Sequence, residues 1–186
     1  VATIIHPWRQ NAVLHQYESA NEKLYLKQKY DTVQFFSLIR KLYHIAESLD
    51  TLDARPDKKG RVRPEYRENH ARQLDLLRRN LYYGGTFQVR KEQYADAYGF
   101  LSTYLDTDSQ PLFTGYDYLK TDSLMVQAAY WATFCGYKLQ QPDMTLRYHE
   151  WALRDTTKRE FTLQYVCEAY RQQHNDSLLQ MALQQG

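Results

Sequence analysis

The residue types that most often carry enzyme chemistry occur in this sequence without the spacing that a catalytic site needs. His149-Glu150 could begin a His-Glu-x-x-His zinc site, but Leu153 stands where the second histidine is required. The other histidines are scattered, and there is no Gly-x-Ser-x-Gly, phosphate-loop or Gly-x-Gly-x-x-Gly pattern. We therefore predict a protein without catalytic activity, cofactor or metal. An enzyme whose site follows no known motif is the alternative.

The two cysteines, Cys135 and Cys167, both lie in apolar patterns of helical spacing. This position favours buried free thiols over nucleophiles, because no partner base can be identified for either residue. A disulfide between them stays open as an alternative if their helices are neighbours.

The densest positive charge lies between Arg55 and Arg79, where acidic side chains alternate with basic ones. Interleaved signs are typical of a solvated, salt-bridged surface, although an acidic partner or a nucleic acid could also bind there. Because the net charge of the whole chain is only +2, we predict no nucleic-acid partner.

The size and hydrophobicity of the chain fit one domain with its own core. It has 186 residues, of which 43% are hydrophobic, and this share is too high for a disordered protein. No apolar run approaches the roughly 18 residues that span a membrane, so we predict no membrane span.

The chain starts at Val1 rather than methionine, which we interpret as removal or omission of an N-terminal segment such as a signal peptide.

The segment from Asn80 to Asp106 is predicted to form two antiparallel helices joined by a polar turn at residues 90–93. Apolar residues recur at helical spacing in its second half. Gly84 and Gly85 fall inside the first helix, where glycine costs roughly 1 kcal/mol relative to alanine. Close approach of the partner helix would offset this cost, because a tight crossing needs a residue without a side chain.

This segment resembles the tetratricopeptide repeat (TPR) family. Gly85 matches the small residue of the first helix, and Tyr94, Ala97 and Leu101 match the second helix, whereas Tyr104 departs from the usual alanine. The resemblance implies an all-α, right-handed superhelix, or solenoid, of about four antiparallel helical hairpins in a single domain. The predicted hairpins span about residues 11–50, 64–106, 121–154 and 157–185. The chain is also similar to exported TPR proteins of bacteria, which implies a bacterial protein of the periplasm or cell envelope.

The remaining elements follow from periodicity and turn residues. Asp31 or Thr32 should cap the second helix, and Thr121 or Asp122 the helix after residue 120. The other expectations are an extended lead-in over residues 1–5, a turn at 27–29, one long helix from Pro64 through the glycine pair, and helices over 144–153, from 156 or 157, and over 177–184.

The resemblance also implies a binding groove lined by the first helix of each hairpin. Aromatic rings flanked by arginine and lysine suit an extended peptide, through stacking and charge-assisted hydrogen bonds. We therefore predict a scaffold that binds a protein or peptide partner; a glycan- or nutrient-binding accessory protein of a bacterial envelope is the alternative. The rings could instead pack between neighbouring helices. The predicted groove residues are Arg79, Tyr82, Thr86, Arg90, Gln127, Tyr130, Phe134, Tyr137, Lys138 and Tyr165.

The last predicted helix is apolar on more than one side, with Leu178, Leu179, Met181 and Leu183. The final helix of a solenoid normally needs a polar outer face. We therefore predict an exposed apolar strip that a further segment, a partner or a second copy would cover, with self-association through this helix as one outcome.

Overall fold

A computed structural model describes the backbone of residues 2–25 and 31–184, and the side chains of residues 12–23 and 31–184. Every regular element in these ranges is helical, which confirms the predicted all-α class. The helices are α1 (Ala2–Tyr25), α2 (Thr32–Asp53), α3 (Arg67–Asp75), α4 (Arg79–Arg90), α5 (Tyr94–Asp106), a 3-10 turn (Pro111–Phe113), α6 (Tyr118–Thr121), α7 (Leu124–Lys138), α8 (Pro142–Leu146), α9 (His149–Ala152), α10 (Arg159–Gln172) and α11 (Asp176–Leu183).

The helices group into two compact units. One, the N-terminal unit, comprises Val1–Gly84 together with Ser109–Gly115, and the other, the C-terminal unit, comprises Gly85–Asp108 together with Tyr116–Gly186. The division falls inside α4, between its two glycines. The single domain expected from the sequence stays a prediction.

In the N-terminal unit, α1 and α2 pack against each other, and α2 contacts α3 and the 3-10 turn. The Asp31 carboxylate accepts hydrogen bonds from the backbone N–H groups of Val33 and Gln34, which confirms the predicted cap. A bidentate ion pair then joins α2 to α3, because Arg67 donates to both oxygens of Asp50 at 2.7 and 2.9 Å. This pair is largely buried, with the Asp50 side chain only 4% exposed.

The prediction of one long helix from Pro64 through the glycine pair is wrong. In the structure, α3 starts at Arg67 and ends at Asp75, and α4 starts at Arg79. At the interruption, the Leu74 carbonyl accepts hydrogen bonds from the Tyr43 hydroxyl and from the N–H of Leu77. The tighter turn points Leu76 outward, with 80% of its surface exposed. The N–H of Arg78 then donates to the Asp75 carbonyl, three residues back, so the hydrogen-bond pattern changes here and α3 ends at Asp75.

Two more sequence predictions need correction, and one other lies outside the described residues. The predicted helix over 144–153 is divided into α8 and α9, and the His149 Nδ1 atom lies 2.5 Å from the Leu146 carbonyl oxygen at the division. The extended lead-in is also wrong, since α1 already begins at Ala2. The turn predicted at residues 27–29 lies outside the described residues.

In the C-terminal unit, each helix packs against its neighbours along the chain. Helix α5 contacts α7, which contacts α8 and α9, and α10 contacts α7, α8, α9 and α11. Two glycines permit the closest of these approaches. A Cβ atom added to Gly85 would lie 2.7 Å from Leu101 Cγ, which confirms the predicted close approach. A Cβ atom on Gly136 would lie 2.7 Å from backbone atoms of Met144 and Thr145.

One turn geometry occurs three times among the described residues, where α4 meets α5, α7 meets α8 and α10 meets α11. The residues Glu92, Gln140 and His174 each have a positive φ, of 59°, 55° and 53°. In every case, the N–H of that residue donates to the carbonyl three positions back, and the next N–H donates to the carbonyl five positions back. This is the Schellman motif, which satisfies the last carbonyls of a helix and reverses the chain.

Helix α11 leaves apolar surface uncovered, as predicted. Leu178, Met181 and Leu183 are exposed, while Leu179 packs against a small cluster formed by Val166, Cys167 and Ala182. The Asn175 side chain caps the helix by accepting from the N–H of Leu178.

Candidate binding surface

Six aromatic rings of the C-terminal unit form a continuous chain of contacts, which we call the ring cluster. The rings come from the start of α5, from α7 and from α10. Its members are Tyr94, Tyr130, Trp131, Phe134, Tyr137 and Tyr165.

Tyr165 and Phe134 connect the cluster. Tyr165 stacks on Tyr137 with 4.6 Å between ring centroids and lies 5.8 Å from Phe134. Phe134 in turn meets the edges of Trp131, at 5.8 Å, and of Tyr94, at 5.7 Å. These separations are typical of favourable aromatic pairs. The contacts therefore hold the facing surfaces of α7 and α10 together.

Helical spacing explains why these rings meet. Residues 130, 134 and 137 of α7 lie three or four positions apart, so their side chains emerge on neighbouring parts of one helix surface. The turn at Gln140 then reverses the chain, and α10 returns to pack against α7. Tyr94 joins from α5, which also packs against α7.

Two lysines place their ammonium groups over the ring cluster. The Nζ atom of Lys158 lies 4.4 Å from the Tyr130 centroid and 4.8 Å from the Trp131 centroid. The Nζ atom of Lys138 lies 5.7 Å from the Tyr94 centroid and 5.8 Å from the Phe134 centroid. Both geometries fall within the range of cation–π attraction. The cluster thus combines apolar ring surface with fixed positive charge.

The rings differ in exposure. Tyr94, Trp131, Phe134, Tyr137 and Tyr165 are half-buried. Tyr130 is only 8% exposed, so this predicted groove residue has mainly a packing role beneath Lys158. Burial, a hydrogen bond with Tyr130 and the neighbouring Tyr130 and Tyr137 hydroxyls raise the pKa of Tyr165, which keeps its phenol neutral.

The structure brings five of the ten predicted groove residues into mutual contact, and these are Tyr130, Phe134, Tyr137, Lys138 and Tyr165. Three more belong to the same unit: Thr86 is half-buried on α4, while Arg90 and Gln127 are exposed. Arg79 and Tyr82 belong to the N-terminal unit, where Tyr82 is buried and contacts the Tyr83 ring.

Sequence reasoning missed three members of this surface. Trp131 is not among the predicted groove residues, and Tyr94 is predicted only as a residue of the second helix of its hairpin. Lys158 was not singled out, although it precedes Tyr165 by seven residues, which is about two helical turns. Spacing from the ring residues would have indicated both Trp131, three positions before Phe134, and Lys158.

Cys135 and Cys167 are free and buried, as predicted, and burial raises the pKa of the Cys135 thiol to about 12. In the described ranges, no group of three or more His, Cys, Asp or Glu side chains could hold a metal ion. Asp106 accepts hydrogen bonds from Arg147 and Tyr148, a contact that ties the junction of α8 and α9 to the end of α5.

Comparisons with known proteins do not assign the chain to a family. No family model, curated protein or solved structure matches it. Among the described residues, no helix is long and apolar enough to cross a membrane.

Proposed function

We propose that the protein is a non-catalytic, TPR-like helical-repeat scaffold that binds a protein partner through the ring cluster. The partner presents an extended peptide segment to the facing surfaces of α7 and α10. Arg90, the last residue of α4, and Gln127, in the first turn of α7, are exposed and belong to the same proposed scaffold.

The repeated turn supports the repeat architecture. Gln140 and His174 occupy equivalent positions of two Schellman motifs and are 34 residues apart, the period of a tetratricopeptide repeat. The Gln172 amide donates to the Gln140 side-chain oxygen at 2.7 Å, and the Gln173 amide donates to Asp143 at 2.8 Å. Successive turns are thus bonded to each other, as expected for stacked hairpins. The interval from Glu92 to Gln140 is longer because the 3-10 turn and α6 are inserted.

The observation that carries the binding proposal is the half-exposed ring surface with its two lysines. A monomeric core would bury such rings or cover them with aliphatic side chains. Here, Phe134, Tyr137 and Tyr165 keep part of their surface accessible while their mutual contacts hold them rigid. Rigid, amphipathic rings lose little conformational entropy on binding and are the usual anchors of protein interfaces.

The test is selection of a displayed random heptapeptide library on the immobilised full chain, followed by affinity measurements on enriched peptides. Tyr137→Ala and Tyr165→Ala should each weaken binding about 30-fold, which corresponds to about 2 kcal/mol for an interface anchor. Tyr66→Ala removes an exposed ring of the N-terminal unit and serves as the matched control, with unchanged affinity expected. Thermal melts of each variant distinguish lost binding from lost folding.

Enriched peptides that bind both cluster variants with wild-type affinity would contradict the proposal, and so would a library that yields no specific binder. Selective binding of uncharged oligosaccharides to the same rings would favour the glycan-binding alternative instead.

A further inference from the structure

We propose that the ring cluster selects peptide segments carrying two carboxylate side chains two or four residues apart, one contacting Lys138 and the other Lys158. This inference rests on the proposed function and names the chemistry of the partner. It is drawn from the charges at the cluster.

Neither ammonium group has an acidic partner among the described residues. Within the described part of the chain, the ion pairs involve other residues, and the contacts of Lys138 and Lys158 are with ring faces. A ring face attracts an ammonium group without accepting its hydrogen bonds as a carboxylate does. Each lysine therefore keeps donors for an incoming anion while its position is restricted by the rings below.

The acidic group three residues before Lys158 is already engaged. The Asp155 carboxylate accepts hydrogen bonds from the hydroxyl and the backbone N–H of Thr157, at 2.6 and 3.0 Å. These bonds, with a smaller contribution from the charge of Lys158, lower the pKa of Asp155. Asp155 thus stays ionised beside Lys158 without forming an ion pair with it.

The distances bound the separation of the two charges. Lys158 lies 4.8 Å from the Trp131 centroid, Trp131 lies 5.8 Å from Phe134, and Phe134 lies 5.8 Å from Lys138. The ammonium groups are therefore at most about 16 Å apart. An extended chain advances about 3.3 Å per residue and its alternate side chains share one face, so carboxylates two or four residues apart face the same way and are separated by about 7 or 13 Å, within this limit.

The surface between the two lysines determines which residue type should separate the two acidic residues of the peptide. The half-buried rings of Phe134 and Trp131 lie on the path from one ammonium group to the other. An apolar or aromatic residue between the two acidic residues would contact these rings. A basic segment would be repelled, and it would have to displace the lysines from the ring faces. Charge complementarity therefore favours an acidic partner.

The test analyses the heptapeptides enriched on the full chain and their affinities for lysine variants. Enriched sequences should carry two Asp or Glu residues two or four positions apart. Lys138→Gln and Lys158→Gln should each weaken the best peptide about tenfold, whereas Lys138→Arg and Lys158→Arg should retain most affinity. Replacing both acidic residues of that peptide by their amides should abolish the difference between wild type and variants. Lys120→Gln, at an exposed lysine paired only with Asp117, is the control.

Three results separate this inference from the proposed function. Peptides that depend on Tyr137 but lack the acidic pair would overturn the inference and leave the proposed function standing. Acidic peptides with equal affinity for the Lys138→Gln/Lys158→Gln double variant would overturn it as well. Peptides that depend on neither the rings nor the lysines would overturn both proposals.

Discussion

Gly136→Ala should destabilise the protein even though alanine is the better helix former. A Cβ atom at this position would lie 2.7 Å from Met144 C and Thr145 Cα, where ordinary contact begins at 3.4 Å. The overlap is about 0.7 Å and involves backbone atoms, which cannot rotate away as a side chain can. Helix α8 would have to move away from α7 and open the buried contact around Thr145.

The magnitude follows from two opposing effects. Alanine in place of glycine gains about 1 kcal/mol of helix propensity. Overpacking against a rigid neighbour costs typically about 1–3 kcal/mol and sometimes more, and a backbone neighbour belongs at the upper end. We expect a net loss of about 2 kcal/mol in the free energy of unfolding. For a chain of this size, such a loss corresponds to a fall in Tm of about 4–8 °C.

Urea unfolding followed by circular dichroism measures the effect. Gln164→Ala introduces the same residue at an exposed position of α10 and should change stability by less than about 0.5 kcal/mol. Gly85→Ala should cost less than Gly136→Ala, because its Cβ atom meets the Leu101 side chain rather than a backbone. A Gly136→Ala variant as stable as the wild type would refute the close helix crossing.

Three further outcomes follow from buried polar groups. Thr133→Val should raise the urea midpoint by an amount corresponding to about 1 kcal/mol, because the Thr133 hydroxyl is buried and has no hydrogen-bond partner among the described residues. A lower midpoint would show that the hydroxyl is satisfied. Arg67→Met should lower the free energy of unfolding by about 3 kcal/mol, since it leaves the buried Asp50 carboxylate unpaired. The Asp50→Asn/Arg67→Met double variant should lose less stability than the sum of the two single variants. Near neutral pH, Cys135 and Cys167 of the native protein should react with iodoacetamide far more slowly than the same residues of the unfolded chain. The native reaction rate should increase as the pH rises toward the raised thiol pKa values. Native rates equal to the unfolded ones would contradict the burial of these thiols.

Local signals in the sequence predicted much of the helical framework. The polar turns near Glu92, Gln140 and His174 could be predicted because each separates two apolar patterns of helical period. The position of Gly85 inside a helical pattern indicated a close contact with another helix, since a glycine inside a helix needs a structural reason. Asp31 was identified as a cap because its side-chain oxygen suits the first N–H groups of a helix.

The errors arose where a side-chain contact with a backbone carbonyl overrides helical periodicity. Neither the end of α3 at Asp75 nor the division after Leu146 has a glycine or proline to mark it. The Tyr43 hydroxyl of α2 donates to the Leu74 carbonyl, and the His149 ring contacts the carbonyl of Leu146, three residues before it. Lys158 was missed for a similar reason. Its position over the Tyr130 ring depends on how α10 approaches α7, which periodicity does not specify.

The chain passes between the two units more than once, and this affects how the protein can be dissected. Residues 109–115 belong to the N-terminal unit but are flanked on both sides by residues of the other. Within this short insertion, Leu112 and Phe113 are each 2% exposed, and Phe113 stacks on Tyr43. A fragment ending at Gly84 would lack both side chains, and its complement would carry them uncovered. Cleavage at that point therefore creates two halves with complementary apolar surfaces, a relationship suited to fragment complementation rather than to isolation of independent domains.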